Sequence, residues 1–364
     1  HLHMPTRTVE PMTEAALRID SGIDPFAQVS VYPRLRYMGS KYRLLPALAD
    51  VFTQLNASTA IDPFSGSGVV SYLLKSLGYS VTSSDYLHFP VTLTSAACVN
   101  QNDTLSDQEI TMISSGVNRD QRDFISRTYE GRFFTSEDLR FLDSAWSHID
   151  CLPSAKKDLA ISALVLAAAR KQPRGIFTVT GLRYDDGRPQ LHTPLREQFI
   201  TCAHDWNRAV FSARPCRSFQ SDALSAAGHA DVVYLDPPYA PPRDDNDYIK
   251  RYWFLEGLSD YWQNGTAAIM ENTRTHKLEK RPTPFGSKLT ITAALAELFD
   301  QFSDSTLVLS YGSNAVPDLR TLISIMTDVK GSKPELVTIP HRYHMGTHQN
   351  ANRREAVEYI LISD

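Results

Sequence analysis

No stretch of the 364-residue chain approaches the roughly 20 consecutive apolar residues that a membrane-crossing helix needs, so a bilayer is not expected as its solvent. The N-terminus lacks a basic-then-apolar leader, His1-Leu2-His3-Met4 reads as a vector remnant, and a cytoplasmic protein is expected. Cysteine is scarce: Cys98, Cys151, Cys202 and Cys216 lie far apart and form no CxxC pair. That excludes a disulfide framework and the common zinc patterns, leaving reduced thiols as the expectation. His341, His344 and His348 are close in sequence, but their spacing suits no standard metal site, and no metal is expected. Charge of one sign is also missing, since the formal net charge is only −4. There is no internal repeat and no low-complexity tract. A hydrophobic fraction of 42% and a charged fraction of 21% describe an ordinary globular chain with a sizeable core.

Charge is nevertheless uneven. Between Arg170 and Arg217 there are nine Lys/Arg against four Asp/Glu, the kind of local excess to which a phosphate backbone responds. A solvated surface would show the same composition.

Hydrophobic periodicity divides the chain. Residues 1–33 are Pro-punctuated and read as an irregular arm. Leu44, Leu45, Leu48, Val51, Phe52 and Leu55 have helical spacing within 41–56. Thr59–Asp62 reads as a buried strand, followed by a Gly/Ser turn, a helix from Val69 to Leu77 stopped by Gly78, and a second strand from Tyr79 to Ser83 closed by Asp85. Residues 86–218 look mainly helical, most clearly over Leu139–His148 and Lys156–Ala169, with an extended loop at Gly175–Gly181. The β/α pattern then resumes with a strand at Val232–Leu235, a helix at Leu289–Phe299 and a strand at Thr306–Ser310. A late antiparallel pair is expected from Leu336–Ile339 and Val357–Ile362. The expected fold is α/β, a doubly wound sheet interrupted by a helical, partly basic insertion.

Two constellations carry chemistry. The first is Asp62-Pro63-Phe64-Ser65-Gly66-Ser67-Gly68, in the strand–turn–helix context where a Gly-rich turn binds nucleotide-like ligands. Gly66 and Gly68 let backbone approach a ligand without an intervening Cβ. Asp62 ahead of the glycines repels phosphate but suits a positive amino group such as that of a methionine moiety. Asp85, at the end of the next strand, is placed to accept from ribose hydroxyls.

The second is Asp236-Pro237-Pro238-Tyr239, directly after an apolar strand. The prolines hold the chain extended just past the carboxyl end of the sheet, where open α/β folds do their chemistry. The tetrapeptide offers a carboxylate, carbonyls without competing N–H groups, and an aromatic face. An exocyclic amino group on a base needs that set: its lone pair is delocalised into the ring, and acceptors on its hydrogens localise the pair. The aromatic ring suits stacking on a base flipped out of a helix.

Together, Asp62–Gly68 and Asp236–Tyr239 resemble the cofactor and catalytic motifs of amino-group DNA methyltransferases. Their order, with a long segment between, resembles the Dam-like (alpha-group) adenine-specific enzymes. Arg36-Tyr37-Met38-Gly39-Ser40-Lys41 is similar to that family's N-terminal motif. Arg174-Gly175-Ile176-Phe177-Thr178-Val179 is similar to its Gly-Phe-Asn-Val-Pro segment, with Thr178 for Asn and Thr180 for Pro. Asp247-Tyr248 through Arg251-Tyr252 to Leu255-Glu256 resembles its Tyr…Leu-Glu helix.

The resemblance implies a Rossmann-like class I methyltransferase sheet, mostly parallel with a final antiparallel hairpin. Residues 34–88 would be the cofactor-binding half, 89–218 a helical target-recognition insertion, and 219–364 the catalytic half. S-adenosyl-L-methionine is implied as cofactor, held by Tyr37, Gly39, Lys41, Asp62, Pro63, Phe64, Ser65, Gly66, Gly68 and Asp85, with Asp222 on its adenine. Asp236 and Pro237 would hold the target amino group, with Pro238 keeping the motif rigid and Tyr239 stacking on the base. Transfer would be direct, without a covalent enzyme intermediate. Arg170, Lys171, Arg174 and Arg183 are candidate contacts to double-stranded DNA, and Asp244–Asp247 a candidate closing loop. A cognate restriction or defence partner would follow. Methylation of cytosine's 4-amino group, RNA or a protein amide is the alternative, as is a non-catalytic DNA-binding subunit of the same fold.

Overall fold

The computed structural model describes residues 6–8, 22–35, 41–172, 177, 187, 189–226, 228–238, 248–263, 269, 277, 283–342 and 355–364. Among these residues eight strands form one sheet: β1 (Thr6–Thr8), β2 (Thr59–Asp62), β3 (Ser80–Asp85), β4 (Arg217–Gln220), β5 (Val232–Leu235), β6 (Thr306–Gly312), β7 (Glu335–Arg342) and β8 (Glu355–Ser363). Their spatial order is β1-β7-β8-β6-β5-β2-β3-β4. Only β8 runs antiparallel to its neighbours, pairing Leu309 with Leu361 on one side and Val337 with Ile360 on the other. This is the expected mostly parallel sheet with a late antiparallel hairpin.

The central strand β5 is apolar at every position because both of its faces are covered. Val232 and Tyr234 of β5 point into the larger hydrophobic cluster, whereas Val233 and Leu235 point into a second one. The second cluster is closed by α11 (Ile291–Gln301) and α12 (Leu319–Lys330). Asp318 starts α12 by accepting the Thr321 amide at 2.9 Å, and Gly331 ends it in the left-handed region at φ 77°.

Among the described residues, the larger cluster joins the sheet to the α-helices before α11. These are α1 (Pro25–Ser30), α2 (Leu45–Gln54), α3 (Val69–Ser76), α4 (His88–Thr94), α5 (Asp107–Ser114), α6 (Phe124–Thr128), α7 (Ser136–Ile149), α8 (Ser154–Arg170), α9 (Leu195–Ala209) and α10 (Tyr248–Asp260). The chain between β3 and β4 is therefore helical as expected, but it shares one core with the sheet. Phe52 of α2, Leu164 of α8 and Trp253 of α10 belong to the same buried set. Lys75 fastens this junction. Its buried ammonium donates to the carbonyls of Ala97 (3.2 Å), Asn100 (3.3 Å) and Phe211 (2.7 Å).

Two expectations change. The arm is not wholly irregular: Thr6–Thr8 adds a parallel edge strand on β7, and Asp24 caps α1 through the Phe26 amide at 3.1 Å. The insertion's last expected residues belong to the sheet, since β4 begins at Arg217 and pairs Ser218 with Ser83.

Candidate active site

From β2 the chain passes outward to β3 and β4, then returns to lay β5 against the other side of β2. The strand order thus reverses between β2 and β5, where the crevice of a doubly wound sheet opens at the carboxyl ends. Asp62 ends β2, Asp236 follows β5 and Asp85 ends β3. Three residues far apart in sequence are thereby brought to one edge by topology.

The turn after β2 is built on backbone hydrogen bonds. Ser65 N donates to Ser84 O at 3.0 Å and Gly68 N to Ser65 O at 2.7 Å. Gly66, at φ 52°, donates its amide to Asp85 Oδ2 at 3.0 Å. Gly68 sits at φ 84°, and its missing Cβ makes room for Tyr32 and Thr94 rather than for a ligand. Tyr32 donates its hydroxyl to Ser67 O at 2.5 Å, so the N-terminal arm clamps the turn from behind. Sequence reasoning missed this role, because Tyr32 lies in no motif. Phe64 packs edge-on against Phe285, 5.2 Å between centroids, and Pro63 is buried.

Asp62 Oδ2 accepts from Ser71 Oγ at 2.6 Å, and Ser71 in turn contacts Ser83 Oγ at 2.7 Å. Its other oxygen, Oδ1, is buried without a hydrogen-bond partner, as is Ser65 Oγ in the same turn. Two orphaned polar atoms at this place fit a ligand that brings a donor, and an ammonium group suits a carboxylate best. Burial pushes the Asp62 carboxyl up to about 7, with the Asp236 and Asp85 charges adding and the Ser71 bond opposing. Burial likewise pushes Asp85 up to about 7, against its bonds to the Leu87 and Gly66 amides, with Glu256 adding. Asp222 is exposed at the end of β4 and caps a short turn through the Leu224 amide at 3.2 Å.

Lys41 and Asp236 form an ion pair, Nζ to Oδ1, at 3.1 Å, with side chains 17% and 19% exposed. Burial raises the Asp236 carboxyl above its ordinary value, Lys41 pulls it back down, and Glu358 of β8 adds to the rise. Lys41 thus stands at the Asp236 carboxylate, with Pro237 and Pro238 buried beside it. The expected Tyr37, Gly39, Tyr239, Arg174, Arg183 and Asp244–Asp247 lie outside the described residues, as does most of the Gly175–Thr180 segment. From that segment Phe177 is buried, stacked on Phe254 of α10 at 4.5 Å, and its carbonyl accepts from Trp253 Nε1 at 3.3 Å.

The expected DNA contacts fare differently. Lys171 is buried in an ion pair with Asp138, both side chains 5% exposed, so its ammonium is out of a phosphate's reach. That corrects the expectation for Lys171, since a charge count cannot register burial. Arg170 is partly exposed and pairs with Asp205 at 3.4 Å. The chain's Pro-Cys dipeptide, Pro215-Cys216, precedes the amino end of β4, opposite the carboxylates. Burial pushes its thiol up, so it is not placed as a nucleophile.

The model of the D12 class N6 adenine-specific DNA methyltransferase family matches residues 37–280, more than half of the chain, including Asp62, Asp85 and Asp236. The chain belongs to this family. It is also similar to the type II methyltransferase M2.HphI of Haemophilus parahaemolyticus, with 25% identity over 352 residues, covering 91% of this chain and 98% of the relative. The sheet is accordingly the class I methyltransferase sheet, and the reaction its site must serve is methyl transfer to the 6-amino group of adenine in DNA. Among the described residues, no helix of this methyltransferase is long and apolar enough to cross a membrane.

Proposed function

We propose that S-adenosyl-L-methionine is the methyl donor, and that Asp62, Asp85, Lys41 and Asp236 divide the work of the transfer. The observation that carries this reading is the orphaned Asp62 Oδ1 across the sheet's switch point from the Lys41–Asp236 pair. Asp62 and the Ser65 hydroxyl would hold the methionine end, and Asp85 the ribose. When bound, the cofactor supplies a methyl group on a sulfonium, a strong electrophile that needs no activation by the protein.

The protein's task is then to make the adenine amine nucleophilic. Asp236 Oδ1 is taken by Lys41, which leaves Oδ2 to accept one amino hydrogen, while the Pro237 carbonyl accepts the other. Two acceptors localise the lone pair on nitrogen, and the carboxylate stabilises the positive charge that grows there as the C–N bond forms. The displaced proton passes to Asp236 Oδ2. Lys41 keeps that carboxylate ionised against burial. Tyr239 stacking on the flipped base, and Tyr37 and Gly39 beside the methionine end, complete the reading.

A cofactor turn that precedes the catalytic tetrapeptide, with helices α4 to α9 between, supports the Dam-like alpha-group order. Residues 89–218 would carry target recognition, and Arg170, Arg174 and Arg183 would contact the DNA backbone. Likeness to a type II methyltransferase supports a restriction-modification role in the cytoplasm, with a cognate endonuclease or defence partner.

The test is incubation with methyl-labelled S-adenosylmethionine and adenine-unmethylated DNA, followed by nucleoside analysis. Label on the 6-amino group of deoxyadenosine, absent with Asp236→Ala, is expected. Label on cytosine, or label that survives Asp236→Ala, would refute the assignment.

A further inference from the structure

Three successive amides at the start of α4 are shared between two buried carboxylates from opposite ends of the site. Leu87 N donates to Asp85 Oδ1 at 3.0 Å. His88 N donates to Glu256 at 2.8 and 2.9 Å, and Phe89 N to Glu256 Oε1 at 2.9 Å. Glu256 is only 3% exposed and stands on α10, the helix that follows the catalytic tetrapeptide. Its neighbour Ser259 strengthens the joint, donating to Glu256 O at 2.7 Å and lying 2.8 Å from His88 Nδ1. A buried carboxylate receiving consecutive helix-start amides is a strong attachment, and here it spans 167–168 residues.

We propose that Glu256 is a positioning residue for the cofactor site, acting through Asp85. It holds the His88 and Phe89 amides, which fixes the segment whose preceding amide, Leu87, orients the Asp85 carboxylate, and it places a second negative charge beside that carboxylate. The inference rests on the reading of Asp85 as the ribose acceptor. Every change at α10, which leads away from the catalytic motif, is then felt at the ribose.

The groups facing Asp85 are Glu256 from α10, Asp62 from β2, and the Gly66 and Leu87 amides, with His88 next along α4. Glu256 raises the proton affinity of Asp85, so removing its charge while keeping its acceptor lowers that affinity. Glu256→Gln retains a carbonyl for the Phe89 and His88 amides. Glu256→Ala removes the acceptor of both amides.

The experiment is calorimetric binding of S-adenosylhomocysteine to the full-length protein and both variants, across about pH 5 to 9. The change in the ratio of dissociation constants with pH reports the effect of the Glu256 charge on Asp85 and on Asp62, which feels the Asp85 charge. Near pH 8 we expect Glu256→Gln to bind like the wild type. Near pH 6 it should bind about five-fold tighter, because a one-unit fall in the Asp85 pKa leaves more of it ionised. Glu256→Ala should bind about ten-fold more weakly at pH 8 while retaining a cooperative melt. A Glu256→Gln ratio that stays constant with pH, or a folded Glu256→Ala that binds like the wild type, overturns the proposal. Asp85→Asn separates the two levels. If it loses affinity while the Glu256 variants do not respond, this inference alone fails. If the wild type binds no cofactor product, the reading of the site fails with it.

Discussion

Replacing Lys41 by Met removes the charge that faces the catalytic carboxylate and leaves a side chain of similar length. Two unit charges about 4 Å apart attract by about 4 kcal/mol at the effective dielectric near a protein surface. The 3.1 Å pair is partly exposed, which screens it, and about 1.5 to 3 kcal/mol remains. That energy corresponds to about one to two pH units on the Asp236 pKa. The sign follows from the working form. In the proposed reading Asp236 accepts the amino hydrogen as a carboxylate, so activity should be present above its pKa and lost as pH falls through it. Burial and Glu358 already push that carboxyl up, and among the described residues Lys41 is what opposes them. The acid limb of the kcat profile should therefore move to higher pH by about one to two units. At the pH where the wild type is half-active, Lys41→Met should retain about a tenth of its rate or less, recovering as pH rises. Single-turnover methyl transfer to DNA at saturating cofactor is the assay, and Lys41→Arg should restore most of the limb's position. A loss by the same factor at every pH, with the limb unmoved, would refute the argument and assign Lys41 to cofactor binding alone.

Asp62 is held about three units above its ordinary pKa, so the folded state binds more protons than the unfolded between about pH 4 and 7 and loses stability across that window as pH rises. Asp62→Asn should stabilise the cofactor-free protein by about 2–4 kcal/mol at pH 8 and by almost nothing near pH 4, while weakening cofactor binding; denaturant unfolding at the two pH values decides it. Gly257 lies under the indole of Trp262, which a Cβ there would overlap, so Gly257→Ala should cost about 2–3 kcal/mol in the same assay; an unchanged midpoint would mean that the indole has somewhere to go. Lys75→Met leaves the Ala97, Asn100 and Phe211 carbonyls without their donor and should cost about 2–4 kcal/mol, seen as a lower melting temperature. A melt equal to wild type would show that water replaces the ammonium.

The parts of the fold legible in the sequence are those specified locally. Val232–Leu235 is apolar at four successive positions because both faces are buried, and such a run reads as a central strand wherever it occurs. The turn after Asp62 and the prolines after Asp236 are short-range features too, so the carboxyl-end chemistry was visible without coordinates. Arg217–Gln220 was not recognised because it is a polar, half-covered edge strand whose only instruction is its pairing with β3. Thr6–Thr8 likewise has no pattern of its own and borrows its conformation from β7. Lys171 looked like a phosphate contact because composition counts charges without their partners, and Asp138 sits 33 residues earlier.

The supporting residues share one property: each acts across a long sequence separation on a group that local motifs had already marked. Tyr32 reaches the Gly-rich turn from 35 residues away, Glu256 reaches α4 from 168, and Lys41 reaches Asp236 from the other half of the chain. No periodicity encodes such contacts, so physics applied to the sequence finds what performs the chemistry before it finds what holds it. The same asymmetry has an energetic form. Asp62, Asp85 and Asp236 are buried at one sheet edge, where burial holds all three carboxyls above their ordinary range, helped by Asp236 and Asp85 at Asp62, by Glu256 at Asp85 and by Glu358 at Asp236. A chain selected for stability alone would not place them together, since local choices in a well-folded protein ordinarily agree with one another. Such conflicts at the switch point of the sheet fit a ligand that relieves them: Lys41 already faces Asp236, and the unpartnered Asp62 Oδ1 fits a further positively charged donor.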